Sequence, residues 1–228
     1  MKRLNGNKID KQILCNSSAK LGPSFYCRSN VVAIAEELLG KILFTHFNNT
    51  LTAARIVETE AYNGITDKAS HAFGGRRTAR TATMYLRGGT TYVYLCYGIH
   101  HLFNVVTNTE NIPHAILIRA AEPVFGVETM LARTGKLVLD HTITRGPGNL
   151  SKALGITTKH NSIFLTGNEI YITDDGFTVE KDTITESPRI GVDYAGEDAL
   201  LPYRFHIKGN PYVSGKNNKT ETSLNKAV

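Results

Sequence analysis

Tryptophan is absent from the 228-residue chain, and cysteine occurs only three times. Cys15, Cys27 and Cys96 are an odd number without CxxC spacing, which indicates free thiols in a reducing compartment. No apolar run approaches the roughly 18 residues that a membrane span requires. The basic start of the chain, residues 1–10, is not followed by the apolar segment of a secretion signal. The sequence therefore predicts a cytoplasmic protein that does not cross a membrane.

Acidic residues are missing from two long windows of a chain whose net charge is +6. The first window lies between Asp67 and Glu110, and the second runs from His141 to Asn168. One such gap can arise by chance, but the first coincides with an arginine cluster and a run of tyrosines. Arginine-rich surface without carboxylates is typical of proteins that bind a polyphosphate, so the pattern favours nucleic acid as the partner. The cationic residues of the two windows are Lys68, Arg76, Arg77, Arg80 and Arg87, then Arg145, Lys152 and Lys159.

Cap and turn residues divide the chain into predicted helices and strands. Asn30 caps an amphipathic helix that ends at Gly40, and an Asn48–Asn49 turn closes a hairpin between residues 41–47 and 51–62. Pro123 is predicted to begin a second helix that Gly135 ends, and the RGPGN turn is predicted to open a third. Further strands are predicted over 90–97, 102–107 and 115–120, in EIYIT (169–173), and near RIGVDYAGEDA (189–199).

These elements favour the α+β fold class, as a single domain with an antiparallel-strand-rich curved sheet and flanking helices. Hydrophobic residues make up 41% of the chain, which suffices for one substantial core. We expect an N-terminal extension over residues 1–20 that is flexible and a folded domain over residues 21–213. Residues 214–228 are polar and lack aromatic side chains, so we expect a disordered tail.

Two carboxylates stand close together in the predicted strand IVETEAY. A period of two places Ile56, Glu58, Glu60 and Tyr62 on one face, with Arg55 and Val57 on the other. A strand that simply emerges into solvent would carry the same pattern. The functional alternatives are a general base beside an aromatic wall and a pair of metal ligands.

The stretch YVYLCYGIHH (92–101) concentrates three tyrosines and two histidines in ten positions. His100 and His101 are adjacent, so on a strand they face opposite ways and cannot share a metal ion. The chain also lacks the phosphate-loop, dinucleotide and zinc-deaminase motifs, so the sequence supports neither a nucleotide-cofactor loop nor a deaminase zinc site. Cys96 fits a small buried hydrophobe better than a nucleophile.

The RGPGN turn is either a tight structural turn or a phosphate site, because a Gly-Pro-Gly loop that enters a helix exposes unpaired backbone N–H groups. Together with the charge pattern, it predicts a set of contacts to nucleic-acid phosphates. These are Arg76, Arg77, Arg80, Arg87, Arg145, Gly146, Gly148 and Lys152.

Seven segments in order resemble one known family, the alkyladenine type of 3-methyladenine DNA glycosylase. The resemblance covers about residues 20 to 213. It implies a monofunctional base-excision repair enzyme that flips a damaged purine out of duplex DNA, hydrolyses its N-glycosidic bond and needs no metal or cofactor. The segments are ETEAY (58–62), the SHA that contains His71, GGRRTARTATMY (74–85), TYVYLCYGIHHLFN (91–104), AILIRAAEP (115–123), TRGPGNLSKALGI (144–156) and RIGVDYAGEDA (189–199).

The resemblance also implies a role for individual residues. Glu60 would activate the attacking water, Arg119 would help to hold that water and the target phosphate, and the main-chain carbonyl of Ile190 would be a third water contact. Tyr97 would insert into the gap in the duplex. The pocket for the flipped base would be formed by Tyr62, His71 and Tyr94, with Asn104 at its edge against the amino group of guanine.

Two departures from the family pattern affect the DNA contacts and not the catalytic set. Ala79 replaces the proline of the usual RTPR, and Asn149 replaces the usual basic residue after GPG. The implied substrates are 3-methyladenine, 7-methylguanine and, as an open case, hypoxanthine, with a monomeric enzyme and no obligate protein partner. A non-catalytic nucleic-acid-binding module and a metal-dependent nuclease that uses Glu58 and Glu60 are the alternatives.

Overall fold

The computed structural model describes residues 20–215. Most of the expected N-terminal extension (1–20) and of the expected tail (214–228) lies outside the described residues, and both stay predictions. Lys20 forms an antiparallel bridge with Thr173. Ser214, which we expected to begin the disordered tail, is hydrogen-bonded to Glu58. Between residues 20 and 215 no helix is long and apolar enough to cross a membrane.

The strands of the described chain form one curled antiparallel sheet. Six of them lie in the order β3-β4-β5-β2-β1-β6, while β8 pairs with the second half of β2 and also with β7. With helices on its flanks, the sheet confirms the predicted α+β class. The strands are β1 (Ile42–Phe47), β2 (Thr50–Tyr62), β3 (Thr91–Cys96), β4 (His100–Thr107), β5 (His114–Phe125), β6 (Ile170–Thr173), β7 (Ile184–Ser187) and β8 (Arg204–Ile207).

The predicted hairpin is confirmed as β1 and β2. Asn48 and Asn49 both have positive φ angles, of 50° and 58°, which a two-residue primed turn requires and asparagine tolerates. The strands predicted over 90–97, 102–107 and 115–120 are also present, with shifted ends. β3 stops at Cys96, so Tyr97 lies in the turn to β4 and not on the strand as predicted.

Helices occupy four segments of the described residues. They are α1 (Pro23–Tyr26), α2 (Val31–Glu37), α3 (Val127–Thr134) and α4 (Pro147–Leu154). The Asn30 side chain accepts a hydrogen bond from the Ala33 N–H and so caps α2 as predicted. Gly155 ends α4 in a left-handed conformation.

The prediction that Pro123 begins a helix is wrong. β5 continues through Pro123, which pairs with Ala54 next to a register shift in β2. A proline is tolerated there because an irregular pairing does not need its missing N–H. α3 begins only after Gly126, whose φ of 76° turns the chain, and it ends at Gly135 as predicted. A Cβ on Gly126 would lie 2.6 Å from the Leu51 carbonyl oxygen, so the turn requires glycine.

The prediction of strand near RIGVDYAGEDA holds for the flanking strands β7 and β8 but not for the motif itself. Residues Asp193–Leu200 form a 3₁₀ segment that Gly196 interrupts with a φ of 61°. The other 3₁₀ turns are Gly64–Thr66, Phe73–Gly75, Ala82–Tyr85, His141–Ile143, Thr158–His160 and Lys181–Thr183. Short turns of this kind carry no hydrophobic period that a sequence pattern can reveal.

The main core lies between the sheet and its helices. Ile34 and Ala35 of α2 and Leu150 and Leu154 of α4 are fully buried in it. The Thr59 hydroxyl donates to the Ala35 carbonyl at 2.8 Å, so this face of β2 is turned towards α2. Glu58 and Glu60 alternate with Thr59 and lie on the other face.

Candidate active site

A cavity of about 440 Å³ is lined by β3, β4, β5, the end of β2 and the loops that follow β2 and β7. It brings together seven residues that the sequence predicted for one site. Their side chains come from segments up to 128 positions apart, so this convergence is a property of the fold. The seven are Tyr62, His71, Tyr94, Tyr97, Asn104, Arg119 and Ile190.

Glu60 is fully buried behind the wall of this cavity. The Ile190 N–H donates to its Oε1 at 2.8 Å, and the Tyr62 hydroxyl donates to its Oε2 at 2.8 Å. Nη1 of Arg119 lies 3.2 Å from the same Oε1. All three neighbours line the cavity, so the carboxylate is held directly behind the cavity surface.

Glu58 is also fully buried, but it faces a different set of partners. Nε of Arg119 and Nε of Arg204 donate to its Oε1 at 2.9 and 2.7 Å. The N–H of Ser214 donates to Oε2 and its hydroxyl donates to Oε1, at 2.6 and 2.9 Å. Four donors therefore surround this carboxylate, three of them at Oε1 and one at Oε2.

The two glutamates share Arg119, which confirms that they lie on one face of β2. The strict alternation predicted for the strand is interrupted around Glu58, because β2 shifts register against β5 between Ile56 and Glu58 and again between Glu58 and Thr59. Burial raises the pKa of Glu58, but Arg119, Arg204 and the Ser214 N–H together lower it further, so the net shift of the pKa is downward. Burial lowers the pKa of Arg119, and Glu60 and Glu58 outweigh it, so that this pKa is raised.

His71 is a neutral imidazole with a defined tautomer. Nη2 of Arg80 lies 3.2 Å from Nε2, and a guanidinium can only donate, so Nε2 accepts and Nδ1 donates to the Tyr92 hydroxyl at 3.0 Å. Burial, followed by the charges of Arg80 and Arg76, lowers the pKa of His71 to about 4. The ring is therefore uncharged near neutral pH.

Aromatic rings form the cavity walls and are fixed by arginines. The rings of His71 and Tyr94 meet edge to face, with centroids 4.8 Å apart. The Arg80 guanidinium lies 4.6 Å from the Tyr94 ring centroid. On the Tyr62 side, Arg189 lies 4.9 Å from the ring centroid and is paired with buried Asp67. Cation–π contacts and ion pairs of this kind restrict the rings to one orientation.

Tyr97 stands at the rim of the cavity, in the turn between β3 and β4. Its side chain is 92% exposed, and its φ of 50° is rare for a residue other than glycine. Gly98 follows with a φ of 74°. A large apolar ring held outward by an unusual backbone is typical of a functional position.

The predicted phosphate contacts do not all lie together. Arg80 lines the cavity, whereas Arg77 covers the Tyr85 ring at 3.9 Å and bonds to Asn111. Arg76 is exposed beside His71, close enough to affect its pKa. Arg87 precedes the start of β3, so the length of that strand separates it from Tyr97.

The Gly-Pro-Gly turn lies at the cavity rim. Pro147 lines the cavity, and Gly148 packs against His100 so closely that a Cβ would lie 2.8 Å from Nδ1. Gly146 precedes α4 with a φ of 91°. Arg145 donates from Nε to the Val213 carbonyl, while Lys152, at the far end of α4, donates to the Thr134 carbonyl. Asn149, at the family's basic position, bonds to the carbonyls of Thr142 and Arg145.

Asn104 is buried at the inner edge of the cavity. Its amide nitrogen donates to the carbonyls of Tyr92 and Leu102. Several other residues of the site were missed from the sequence, namely Asp67, Arg189, Tyr194, Arg204 and Ser214. Arg189 and Tyr194 lie inside a motif quoted for the resemblance, which was a usable signal. Arg204 and Ser214 carry none, because their contacts cross more than 140 residues.

A deep slot with aromatic walls, backed by a carboxylate and open beside a basic turn, suits an enzyme that hydrolyses a bond next to a planar base. Comparison of the sequence with known protein families and proteins agrees with this class of enzyme. A sequence model of the methylpurine-DNA glycosylase family matches residues 24–211.

Similar proteins come from several bacteria and are provisionally named 3-methyladenine DNA glycosylases. A Chlamydia abortus protein is 46% identical over 82% of this chain and 99% of its own length. Proteins of Clostridium acetobutylicum and Bdellovibrio bacteriovorus are 44% and 43% identical, over 86% and 85% of this chain and 97% and 98% of their own lengths. The chain belongs to the methylpurine-DNA glycosylase family, and it is a DNA glycosylase of base-excision repair. The resemblance drawn from its motifs is confirmed.

Proposed function

We propose that this protein removes alkylated purines, 3-methyladenine and 7-methylguanine, from double-stranded DNA by hydrolysing the N-glycosidic bond. The observation that carries this proposal is the burial of Glu60 directly behind a cavity with aromatic walls. Hypoxanthine is the open case among the substrates, because as a neutral leaving group it needs a proton. The protein would act as a monomer, and its cytoplasmic location stays a prediction.

Recognition begins with extrusion of the damaged nucleotide. Flipping costs a few kcal/mol, and stacking on an aromatic ring returns about 1–3 kcal/mol for each base. Tyr62, His71 and Tyr94 are the rings that would hold the flipped purine. Tyr97, exposed at the rim, would fill the gap in the duplex. Stacking in the pocket and at Tyr97 can thus offset the free-energy cost of flipping. A damaged base pairs weakly, so flipping it costs less, and the enzyme selects it over an undamaged base.

Hydrolysis then depends on the one hydrogen-bond acceptor position of the Glu60 carboxylate that no protein group occupies. A carboxylate offers about four acceptor positions. Two at Oε1 face Ile190 and Arg119, and one at Oε2 faces Tyr62. The fourth, on Oε2, is where a water molecule would give up its proton. The negative charge would also stabilise the positive charge that builds on the sugar as the base leaves.

Discrimination and DNA docking involve the rest of the rim. Asn104 lies at the inner edge, where its side chain would collide with the exocyclic amino group of guanine. Arg76 and the Gly146–Gly148 turn would contact phosphates beside the flipped nucleotide. The Ile190 N–H donates to Glu60, which places residue 190 beside the carboxylate. The carbonyl of the same residue would be the third contact of the attacking water.

The two alternatives fit the structure less well. A nuclease that uses Glu58 and Glu60 would have to displace Arg119, Arg204 and Ser214 from Glu58 before a metal ion could bind. A non-catalytic binding module would have no use for a fully buried carboxylate behind its base pocket, since a buried charge is costly.

A panel of duplexes that each carry one modified base tests the proposal. We expect alkali-labile abasic sites at 3-methyladenine and 7-methylguanine, intact backbone before alkali, and unchanged activity in excess chelator. Undamaged duplex is the matched control. Direct strand breaks that chelator abolishes would support the nuclease, and binding without any abasic product would support the binding module.

A further inference from the structure

We propose that Ser214 is a positioning residue of the active site, which sets the Arg119 guanidinium against Glu60. This inference rests on the proposed function, because it concerns the same carboxylate. Nothing in the sequence pointed to Ser214, which falls in the segment expected to be a disordered tail.

Every polar group of Ser214 is engaged in the network around Glu58. Its N–H and hydroxyl donate to the two oxygens of Glu58, at 2.6 and 2.9 Å. The hydroxyl also accepts from Nη2 of Arg119 at 3.0 Å, and the carbonyl accepts from Nη2 of Arg204 at 2.8 Å. The Ser214 hydroxyl is therefore a direct link between Glu58 and Arg119.

This link affects the orientation of the Arg119 guanidinium, which is planar and makes three contacts. Nε bonds to Glu58 and Nη2 bonds to Ser214, which fixes one edge of the guanidinium. Nη1 on the remaining side then points at Glu60, at 3.2 Å. A rigid fork held along one edge cannot rotate about its own axis, so the first two contacts determine the third. Without Ser214 the Nη2 side loses its acceptor and the fork can turn.

The chain around Ser214 is held by further contacts. The Val213 carbonyl accepts from Nε of Arg145, beside the Gly-Pro-Gly turn. A Cβ on Gly215 would lie 3.4 Å from Cδ1 of Ile190, whose N–H donates to Glu60. The end of the described chain therefore lies between the cavity rim and the residue that orients the catalytic carboxylate.

A purely structural serine would only satisfy the buried Glu58 by hydrogen bonds, and the two roles predict different measurements. Ser187 supplies the matched control. Its hydroxyl accepts from Nη1 of Arg204 at 3.0 Å, so it belongs to the same buried network through the other arginine. Replacing either serine by alanine removes one hydroxyl from this network, but only Ser214 contacts Arg119.

The experiment compares Ser214→Ala, Ser214→Thr and Ser187→Ala in the full chain. The readouts are the single-turnover excision rate on a 3-methyladenine duplex, the Kd for a duplex with an abasic analogue, and the Tm. We expect Ser214→Ala to lower the excision rate about tenfold, because a small misplacement of a catalytic group has effects of this size. Its Kd should stay close to that of the wild type, and Ser214→Thr should restore most of the rate. Ser187→Ala should keep the wild-type rate at a similar loss of Tm.

Three results would overturn the inference while leaving the proposed function intact, provided that the wild type excises. They are a wild-type rate in Ser214→Ala, an equal rate loss in both alanine variants, and a loss explained entirely by Kd. Failure of the wild type to excise any base from the panel would overturn the proposed function, and this inference with it.

Discussion

Replacing Glu60 by glutamine separates the charge of this side chain from its shape. The amide oxygen can keep the place of Oε1 and accept from the Ile190 N–H and from Arg119. The amide nitrogen then faces the Tyr62 hydroxyl, which can turn to accept instead of donating. Arg119 keeps its ion pair with Glu58, and the Tyr62 O–H and the second amide N–H can be satisfied by solvent in the cavity that Tyr62 lines, so we expect Glu60→Gln to fold and to lose less Tm than Glu58→Gln.

The expected loss of activity follows from what the exchange removes. The free acceptor position at Oε2 becomes an N–H, which cannot take a proton from water. Positioned base catalysis alone is worth about 10²–10⁴-fold, so the single-turnover excision rate should fall at least 10²-fold. The negative charge opposite the developing sugar cation is lost as well, which adds to the effect.

Binding should respond in the opposite direction. Glu58 and Glu60 share the site with Arg119 and Arg204, so the four formal charges cancel in the wild type. Glu60→Gln leaves one positive charge in excess near the DNA phosphates. We therefore expect the Kd for an abasic-analogue duplex to stay near the wild-type value or to decrease.

Glu58→Gln is the matched control. It makes the same chemical exchange two residues away, at a carboxylate that four donors surround and that has no proposed role in activating water. Breaking a buried ion pair costs about 3–5 kcal/mol, so this variant should lose several degrees of Tm. If Glu60→Gln excises at the wild-type rate and Glu58→Gln does not, the roles of the two glutamates are reversed. If neither change slows excision, the mechanism proposed for Glu60 is refuted.

Three further outcomes are expected. Tyr97→Ser should weaken binding to lesion duplex by about 1–3 kcal/mol and binding to single strands less, with an unchanged Tm; equal losses would make Tyr97 an ordinary stacking residue. Neutralising Arg76 and Arg80 together should reduce the slope of log K against log salt concentration for duplex binding by about two. The control Arg87→Gln should leave that slope unchanged. The pKa of His71 is about 4 in the folded protein against 6.5 in the unfolded chain. The free energy of unfolding should therefore decrease by up to about 3 kcal/mol as the pH falls from 6.5 to 4, because the unfolded chain binds the proton more readily. In His71→Asn this part of the pH dependence should be absent.

The sequence was most informative where local chemistry determines the backbone. Two asparagines suffice for the turn between β1 and β2, and Asn30 suffices for the start of α2, because each signal acts within a few residues. Local reasoning failed at Pro123, since proline suits a helix start and an irregular strand equally well. There the pairing with Ala54 in β2 decides the outcome, and that pairing is a tertiary contact.

The candidate site was accessible by a different route. Spacing alone left Glu58 and Glu60 equivalent, and only the resemblance distinguished them. The fold distinguishes them through partners that come from other parts of the chain. Arg204 and Ser214 lie 146 and 156 residues from Glu58, a separation over which no periodic pattern carries information.

The division of labour between the two glutamates therefore lies in the surroundings of β2. Glu58 meets β8 and the end of the described chain, where four donors surround it, and two of its partners, Arg204 and Ser214, do not line the cavity. Glu60 meets the cavity wall, where three partners leave one position open. Burial raises the pKa of Glu58, but Arg119, Arg204 and the Ser214 N–H outweigh it and lower that pKa, so this carboxylate is suited to holding arginines in place and poorly suited to taking a proton. Under the proposed mechanism, the same residue type on the same face of one strand would thus serve as a support at position 58 and as a base at position 60.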